Sequence, residues 1–340
     1  MTTDSFPDGA RDRERLAAAR GTGFRVEGRH RGAVVGVLSG GLSSEREIAT
    51  RSARAVGGAL RSRGYRVEEI DVDRDVATEL RRRGVEVVFV GLHGRYGEDG
   101  CIQGLLEILG LPYTGTGVLG SALAMDKWAS RQVLTASGLP VAPGVLLQGD
   151  RAALTLPCEL PVIVKPRGEG STNGVSLVRN ASDLEGAVAA ARRYDTDVLI
   201  EQYIPGREVT VAVLDDVALA AMEVVPLGEE FHTYEVKYTA GREKFLLPAP
   251  LGDRYEPVLD LSVKAHRALF AGAYSRVDLR VRDDGQAFIL ECNTLPGLHE
   301  LGWFTAMAVH AGLEFPDLVE LLLDRAQLGV RETRREETPR

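Results

Sequence analysis

Two carboxylates, a carboxamide and a guanidinium crowd into one stretch, Arg276 to Gly297, which reads RVDLRVRDDGQAFILECNTLPG. The pattern predicts two short strands joined by a turn at Asp283-Asp284-Gly285. Successive strand side chains point to opposite faces. Arg276 and Asp278 therefore share one face of the first strand, and Glu291 and Asn293 share one face of the second. The opposite face carries Val277, Leu279, Val281, Phe288, Leu290 and Cys292, an apolar set that reads as core. Cys292 is thus expected to be a small buried hydrophobe rather than a nucleophile. Asp278, Glu291 and Asn293 offer the oxygen ligands that suit magnesium, which favours one or two carboxylates together with phosphate oxygens. The chemistry this points to is phosphoryl transfer; the plainer alternative is ordinary exposed strand residues.

A second anion-type feature lies upstream. Strand Pro161–Pro166 enters the loop Arg167-Gly168-Glu169-Gly170-Ser171-Thr172-Asn173-Gly174. Its glycines let backbone N–H groups approach an anion, and Lys165 stands just before it. The spacing is neither G-x-x-x-x-G-K-[ST] nor G-x-G-x-x-G. A simple hairpin turn and a phosphate cradle both fit the loop alone.

The elements that must carry these groups can be followed along the chain. Ala33–Leu38 reads as a buried strand, and Ser39-Gly40-Gly41 turns it into a helix that ends near Arg63-Gly64. Ser44 to Glu47 has the S-x-x-E form of a capping box. Strands at Tyr65–Ile70 and Val85–Val90 flank a short helix near Val76–Arg83. This βαβαβ rhythm predicts a parallel sheet whose ligands sit at the strand carboxyl ends, here Ser39-Gly40-Gly41 and Gly91-Leu92-His93-Gly94. Further on, helices are expected over Ser121–Ser137 and Ser182–Tyr194, with strands at Val175–Val178 and Val198–Tyr203. The rest, to about Leu328, reads as a mixed α+β region.

The 340 residues are 44% apolar and 26% charged, as in a soluble globular protein with two or three cores. A formal net charge of -8 argues against nucleic-acid binding. No apolar run approaches a membrane helix, and the N-terminus lacks a secretory h-region. The polar residues 1–31 and 329–340 are expected to be disordered tails. Three cysteines, Cys101, Cys158 and Cys292, without C-x-x-C spacing fit a reducing cytosol, so a cytoplasmic location is expected.

Several motifs in order resemble the D-alanine–D-alanine ligases of the ATP-grasp superfamily. They are Ser39-Gly40-Gly41 with Ser44-Glu45-Arg46-Glu47, then Leu92-His93-Gly94-Arg95-Tyr96-Gly97-Glu98-Asp99-Gly100, Leu111-Pro112-Tyr113-Thr114-Gly115 and Ala124-Met125-Asp126-Lys127. Val164-Lys165-Pro166, Glu169-Gly170-Ser171, Glu235-Val236-Lys237-Tyr238 and Glu291-Cys292-Asn293-Thr294-Leu295-Pro296-Gly297 complete the set. The resemblance implies a three-part architecture: an N-terminal parallel α/β domain over 32–115, a central domain over 116–202, and a C-terminal domain over 203–328, with ATP between the last two. Its implied reaction is ATP-dependent joining of two D-alanine molecules through an acyl phosphate, for peptidoglycan precursor synthesis.

Residue by residue, the resemblance implies that Lys127, Lys165 and Lys237 meet ATP phosphates, that Tyr203 and Ile204 line the adenine pocket, and that Glu201 and Glu208 lie near adenine and ribose. Asp278, Glu291 and Asn293 would hold two magnesium ions, with manganese an alternative. Arg276 would meet substrate oxygens, and the Gly297 N–H would help form an oxyanion hole. Glu45 would meet the ammonium of the first amino acid with His93 nearby, and Ser171 and Tyr238 would join Glu45 in closing the phosphate loop. A tyrosine at 238 implies an amine acceptor. A homodimer through the N-terminal domain is also implied. The chain departs from the pattern after Gly297, where Gly302, followed by the bulky Trp303, stands at the position of a family serine that binds the acceptor carboxylate. Two readings therefore stand: a D-alanine–D-alanine ligase, and a related ligase with another amine acceptor.

Overall fold

The computed structural model describes residues 10–22, 25–149, 156–228 and 242–329. Lys237 and Tyr238 lie outside the described residues. The first sheet is made of β1 (Val34–Ser39), β2 (Arg66–Asp71) and β3 (Val87–Val90), in the order β2-β1-β3. Both pairings are parallel, as the βαβαβ rhythm predicted. Helix Arg46–Ser62 covers this sheet with Ala49, Ala53, Val56 and Leu60, buried residues at helical spacing. The expected capping box does not form. The helix is preceded by Glu45, which makes no side-chain cap, and the Ser44 hydroxyl donates to Glu169 at 3.0 Å. Glu45 and Ser44 are taken up by contacts across the site instead.

The second sheet holds β4 (Gly144–Leu147), β5 (Val162–Pro166), β6 (Ser176–Val178) and β7 (Val198–Gln202), in the order β4-β7-β5-β6. The third holds β8 (Arg207–Leu214), β9 (Val217–Pro226), β10 (Glu243–Leu246), β11 (Tyr274–Val281) and β12 (Ala287–Asn293), in the order β10-β9-β8-β11-β12. All pairings in these two sheets are antiparallel. One core joins the first sheet to β8, β9 and helices Trp303–His310 and Phe315–Asp324. Leu298, Phe304, Met307 and Leu318 are buried in it. The segment after Gly297 is therefore seated on the N-terminal unit.

Three expectations need correction. The helix expected over Ser121–Ser137 is two helices, Val118–Met125 and Lys127–Ala136. Asp126 breaks them: in extended conformation, its Oδ1 accepts from the N–H groups of Trp128 and Ala129 at 3.0 Å each. That cap makes Lys127 the first residue of a helix. The helix expected over Ser182–Tyr194 is confined to Leu184–Ala191 after a 3-10 turn.

The third correction concerns the described part of residues 1–31; residues 1–9, 23 and 24 lie outside the described residues, as do 330–340 of the other expected tail. Ala10–Thr22 is a helix with Leu16 1% exposed and Asp12 3% exposed. Asp12 accepts from Tyr255 at 2.8 Å and Arg15 at 2.8 Å, and lies 3.2 Å from His310. Farther on, the N–H groups of Glu27, Gly28 and Arg29 donate to the buried carboxylate of Asp324 at 2.6, 3.1 and 2.8 Å. A polar segment is anchored here by one leucine and two satisfied buried carboxylates, a device hydropathy does not register. Among the described residues, no helix is long and apolar enough to cross a membrane.

Candidate active site

Strands β11 and β12 bring the first-noted residues together. Arg276 pairs with Asn293 and Asp278 with Glu291; the register then shifts, so that Leu279 pairs with Ile289. Leu290 is the extra residue of this bulge. It leaves the core face on which alternation had placed it and lines the smaller of two adjoining cavities, while Ile289 takes the core position at 2% exposed. Cys292 is buried in the core as expected, and burial pushes its thiol up to about 12.

Arg276 and Asp278 form a two-pronged pair. Nε donates to Oδ1 at 2.8 Å and Nη2 to Oδ2 at 2.7 Å. Thr210 on β8 also donates to Asp278 Oδ1, at 2.6 Å. The guanidinium stacks 5.2 Å from the centre of the Trp303 ring, which packs at 63° to the Phe245 ring with centroids 6.0 Å apart. Glu291 keeps 39% of its side chain exposed, with the Lys127 ammonium 4.0 Å away. Asn293 Oδ1 accepts from the Leu295 N–H at 3.1 Å. Among the described residues no group of three or more His, Cys, Asp or Glu could hold a metal ion. A face of carboxylates and one carboxamide fits magnesium all the same, because that ion takes its remaining ligands from water and phosphate.

The smaller cavity, about 130 Å³, lies between the second and third sheets and includes Lys165, Glu201, Tyr203, Ile204, Glu208 and Leu290 in its wall. Tyr203 and Ile204 are buried. Lys165 and Arg131 both pair with Glu201, at 2.5 and 2.8 Å. Arg280 ties the wall together: it donates to the Ile204 carbonyl at 3.0 Å, the Tyr203 hydroxyl at 2.9 Å and Glu208 at 3.3 Å. Lys127 donates to the Glu169 carbonyl at 2.5 Å. Burial holds its ammonium below the usual lysine range.

The larger cavity, about 830 Å³, runs from Lys127 and Glu291 to Glu45, His93 and the loop around Gly297. Ser171 donates to Glu45 Oε1, so the glycine-rich loop is fastened to the N-terminal unit. Ser171 and Thr172 both adopt positive φ, 52° and 61°, a conformation costly for residues with a Cβ. Glu45 is tightly housed. A Cβ on Gly170 would lie 2.9 Å from its Oε2, and one on Gly94, at φ +67°, only 2.5 Å away. His93 sits 3.0 Å from Ser52 Oγ, and burial holds its imidazole down to about 4, so it is neutral near pH 7.

Glu98, buried beside these, accepts from the Gly94 N–H at 2.6 Å and the Leu295 N–H at 3.3 Å, tying the first unit to the segment after β12. Burial, and then repulsion from Glu45, push its carboxyl up to about 8 from 4.5. A raised acid favours folding fully below its unfolded value, and that contribution is lost as pH rises through the folded value. The thermal midpoint of the wild type is accordingly expected to fall between pH about 5 and about 9, and Glu98→Gln to flatten that part of the profile. Parallel profiles for the two proteins would contradict it.

Comparison with known proteins accords with this arrangement. The family described as D-ala D-ala ligase C-terminus matches residues 133–324, and D-ala D-ala ligase N-terminus matches 75–116. A D-alanine–D-alanine ligase of Geotalea uraniireducens (strain Rf4) is 50% identical over 299 residues, covering 87% of this chain and 96% of that protein. The chain belongs to the D-alanine–D-alanine ligase family. Another member, from Geobacter sulfurreducens, is 46% identical over 301 residues, covering 87% of this chain and 95% of its own length. A crystal structure of the D-alanine–D-alanine ligase from Bacillus anthracis superposes with a TM-score of 0.78 at 29% identity, covering 86% of this chain and 97% of that one. The same protein complexed with ATP gives 0.74 at 26% identity, covering 86% and 96%. The architecture is thus that of an ATP-grasp ligase with a parallel N-terminal sheet, and the chain is an ATP-dependent carboxylate–amine ligase by family.

Within this ligase fold, the structure gathers Glu45, His93, Lys127, Ser171, Arg276, Glu291, Asn293, Gly297, Gly302 and Trp303 around the larger cavity. Lys165, Glu201, Tyr203, Ile204, Glu208 and Asp278 line the smaller. Sequence reasoning passed over Thr210, Arg280 and Glu98. Arg280 was readable, since 276, 278 and 280 alternate onto one face. Thr210 carried no such signal, because its neighbour across the sheet is set by β8–β11 pairing.

Proposed function

We propose that this chain condenses two D-alanine molecules with ATP, through an acyl phosphate, to make the dipeptide used in peptidoglycan precursors. The observation that carries the reading is the Arg276–Asp278–Glu291–Asn293 face, which lies where the smaller cavity, walled by Tyr203 and Ile204, adjoins the larger one fastened by Glu45. The donor carboxylate attacks the γ-phosphorus and ADP leaves. The acceptor amine then attacks the acyl carbonyl, loses a proton, and phosphate leaves.

Lys127 and Lys165 neutralise phosphate oxygens, and Tyr203 and Ile204 hold adenine between apolar walls, with Glu201 and Glu208 beside it. Lys237 serves as a further phosphate contact. Asp278, Glu291 and Asn293 would hold magnesium, two ions in this reading, and the metal would supply positive charge to offset the charge that develops during phosphoryl transfer. Glu45 orients the donor ammonium. Arg276 and the Gly297 N–H face the oxygens that gain charge at the acyl centre. Ser171, with Tyr238, keeps the loop closed so that water does not consume the acyl phosphate. The protein acts in the cytoplasm as a homodimer. Exposed Ile108, Val118 and Leu119 on adjoining helices of the N-terminal half support that association.

The test is coupled measurement of ADP and D-alanyl-D-alanine. The expected result is equal amounts of both, dependent on magnesium and on D-alanine. ADP release without dipeptide, or turnover only with a different amine, would favour the second reading, which the altered segment Leu298–Trp303 motivates.

A further inference from the structure

The larger cavity contains a cation that the reaction as described does not use. Helix Arg46–Ser62 presents Ile48, Arg51 and Ser52 at helical spacing; Ser52 meets His93, while Ile48 and Arg51 line the cavity. Arg51 is exposed and makes no hydrogen bond or ion pair among the described residues. Among the described residues the other cations of the site are engaged: Arg276 by Asp278, Lys165 by Glu201, and Lys127 by the Glu169 carbonyl. His299 reaches the same cavity from the turn after Gly297. Burial and the nearby Arg51 charge hold its imidazole below its usual range, so it is a neutral N–H donor near pH 7.

The neighbouring position has no donor to add. The Gly302 N–H is spent on the His299 carbonyl at 2.8 Å. A Cβ at 302 would lie 2.6 Å from the Gly297 carbonyl oxygen, so the turn excludes any side chain there. Trp303, next in line, presents an aromatic face to Arg276. Among the described residues, this end of the cavity offers a guanidinium and an imidazole arriving from two elements of the fold, and a planar fork of N–H groups is matched to a carboxylate.

We infer that Arg51, with His299, receives the carboxylate of the acceptor amino acid and so selects an acceptor bearing one. The inference rests on the ligase reading above and assigns to it a specificity-determining pair. The reaction is unchanged: the acceptor amine attacks the acyl phosphate carbonyl, and the pair fixes the other end of that molecule.

The experiment compares D-alanine with D-alaninamide as acceptor, using wild type, Arg51→Ala, Arg51→Lys and His299→Ala of the full chain, with dipeptide and its amide separated by mass. Wild type is expected to prefer the carboxylate. Arg51→Ala is expected to raise the acceptor KM by about tenfold, with a smaller change in kcat, and to lose most of the preference over the amide. Arg51→Lys restores charge without the fork and is expected to fall between them. His299→Ala is expected to lower the preference less than Arg51→Ala. An Arg51→Ala protein with unaltered KM and unaltered preference overturns this inference while leaving the ligase reading intact. Equal losses on acid and amide also overturn it, since they mark a structural role. A wild type that makes neither product removes the ligase reading and this inference with it.

Discussion

Glu291→Gln is expected to lower D-alanine-dependent ADP formation by about 10³-fold, the scale on which a single preorganised electrostatic group acts at a developing charge. Glu291 keeps 39% of its side chain exposed, against 12% for Asp278. Among the described residues the Glu291 carboxylate forms one ion pair, with the Lys127 ammonium at 4.0 Å. Asp278, by contrast, is held by Arg276 and Thr210. The substitution keeps shape and removes charge, so the fold should persist and the thermal midpoint should move little. Binding of a nucleotide analogue in the presence of magnesium is expected to weaken, and higher magnesium to recover part of the rate. Full turnover in Glu291→Gln would show that the ion is held elsewhere.

The second large effect is expected from Gly302→Ser, which installs the hydroxyl that the family pattern places there. Instead of improving the enzyme, it is expected to cost about 1–3 kcal/mol of stability, the range for overpacking a close-packed site. The added Cβ would fall 2.6 Å from the Gly297 carbonyl and 3.1 Å from that of His299, both backbone atoms. The turn must open to admit it, and Gly297 moves with the turn. Dipeptide formation should therefore fall together with the thermal midpoint, and Gly302→Ala should match Gly302→Ser in both. A stabilised and faster Gly302→Ser would mean that the turn relaxes freely and that the glycine is incidental.

The sequence made some of this legible and hid the rest for identifiable reasons. Strand alternation put Arg276 with Asp278 and Glu291 with Asn293, and the sheet register agrees. It failed at Leu290, because a bulge resets the alternation by one residue and no local composition marks it. The parallel first sheet followed from the order of elements. The break at Asp126 is a cap inside an otherwise continuous helical pattern, and only its carboxylate signals it. The capping-box pattern at Ser44–Glu47 was misleading, since both Ser44 and Glu45 are drawn away by Glu169 and Ser171, more than a hundred residues downstream. The docking of Ala10–Thr22 was invisible for the same reason: Tyr255 and His310, its polar anchors, are distant in sequence. Gly302 could be seen as a departure, but the carbonyl that forbids a side chain there appears only in three dimensions.

The contact between Glu45 and Ser171 carries a kinetic corollary. In the proposed reaction one carboxylate both grips the donor and latches the loop that shelters the phosphates. The two ends of the cavity then cannot be emptied independently. Unlatching the loop to let nucleotide depart slackens the hold on the amino-acid end, and an unseated donor leaves the latch without its counterweight. Exchange of the two products is thereby yoked to a single opening event.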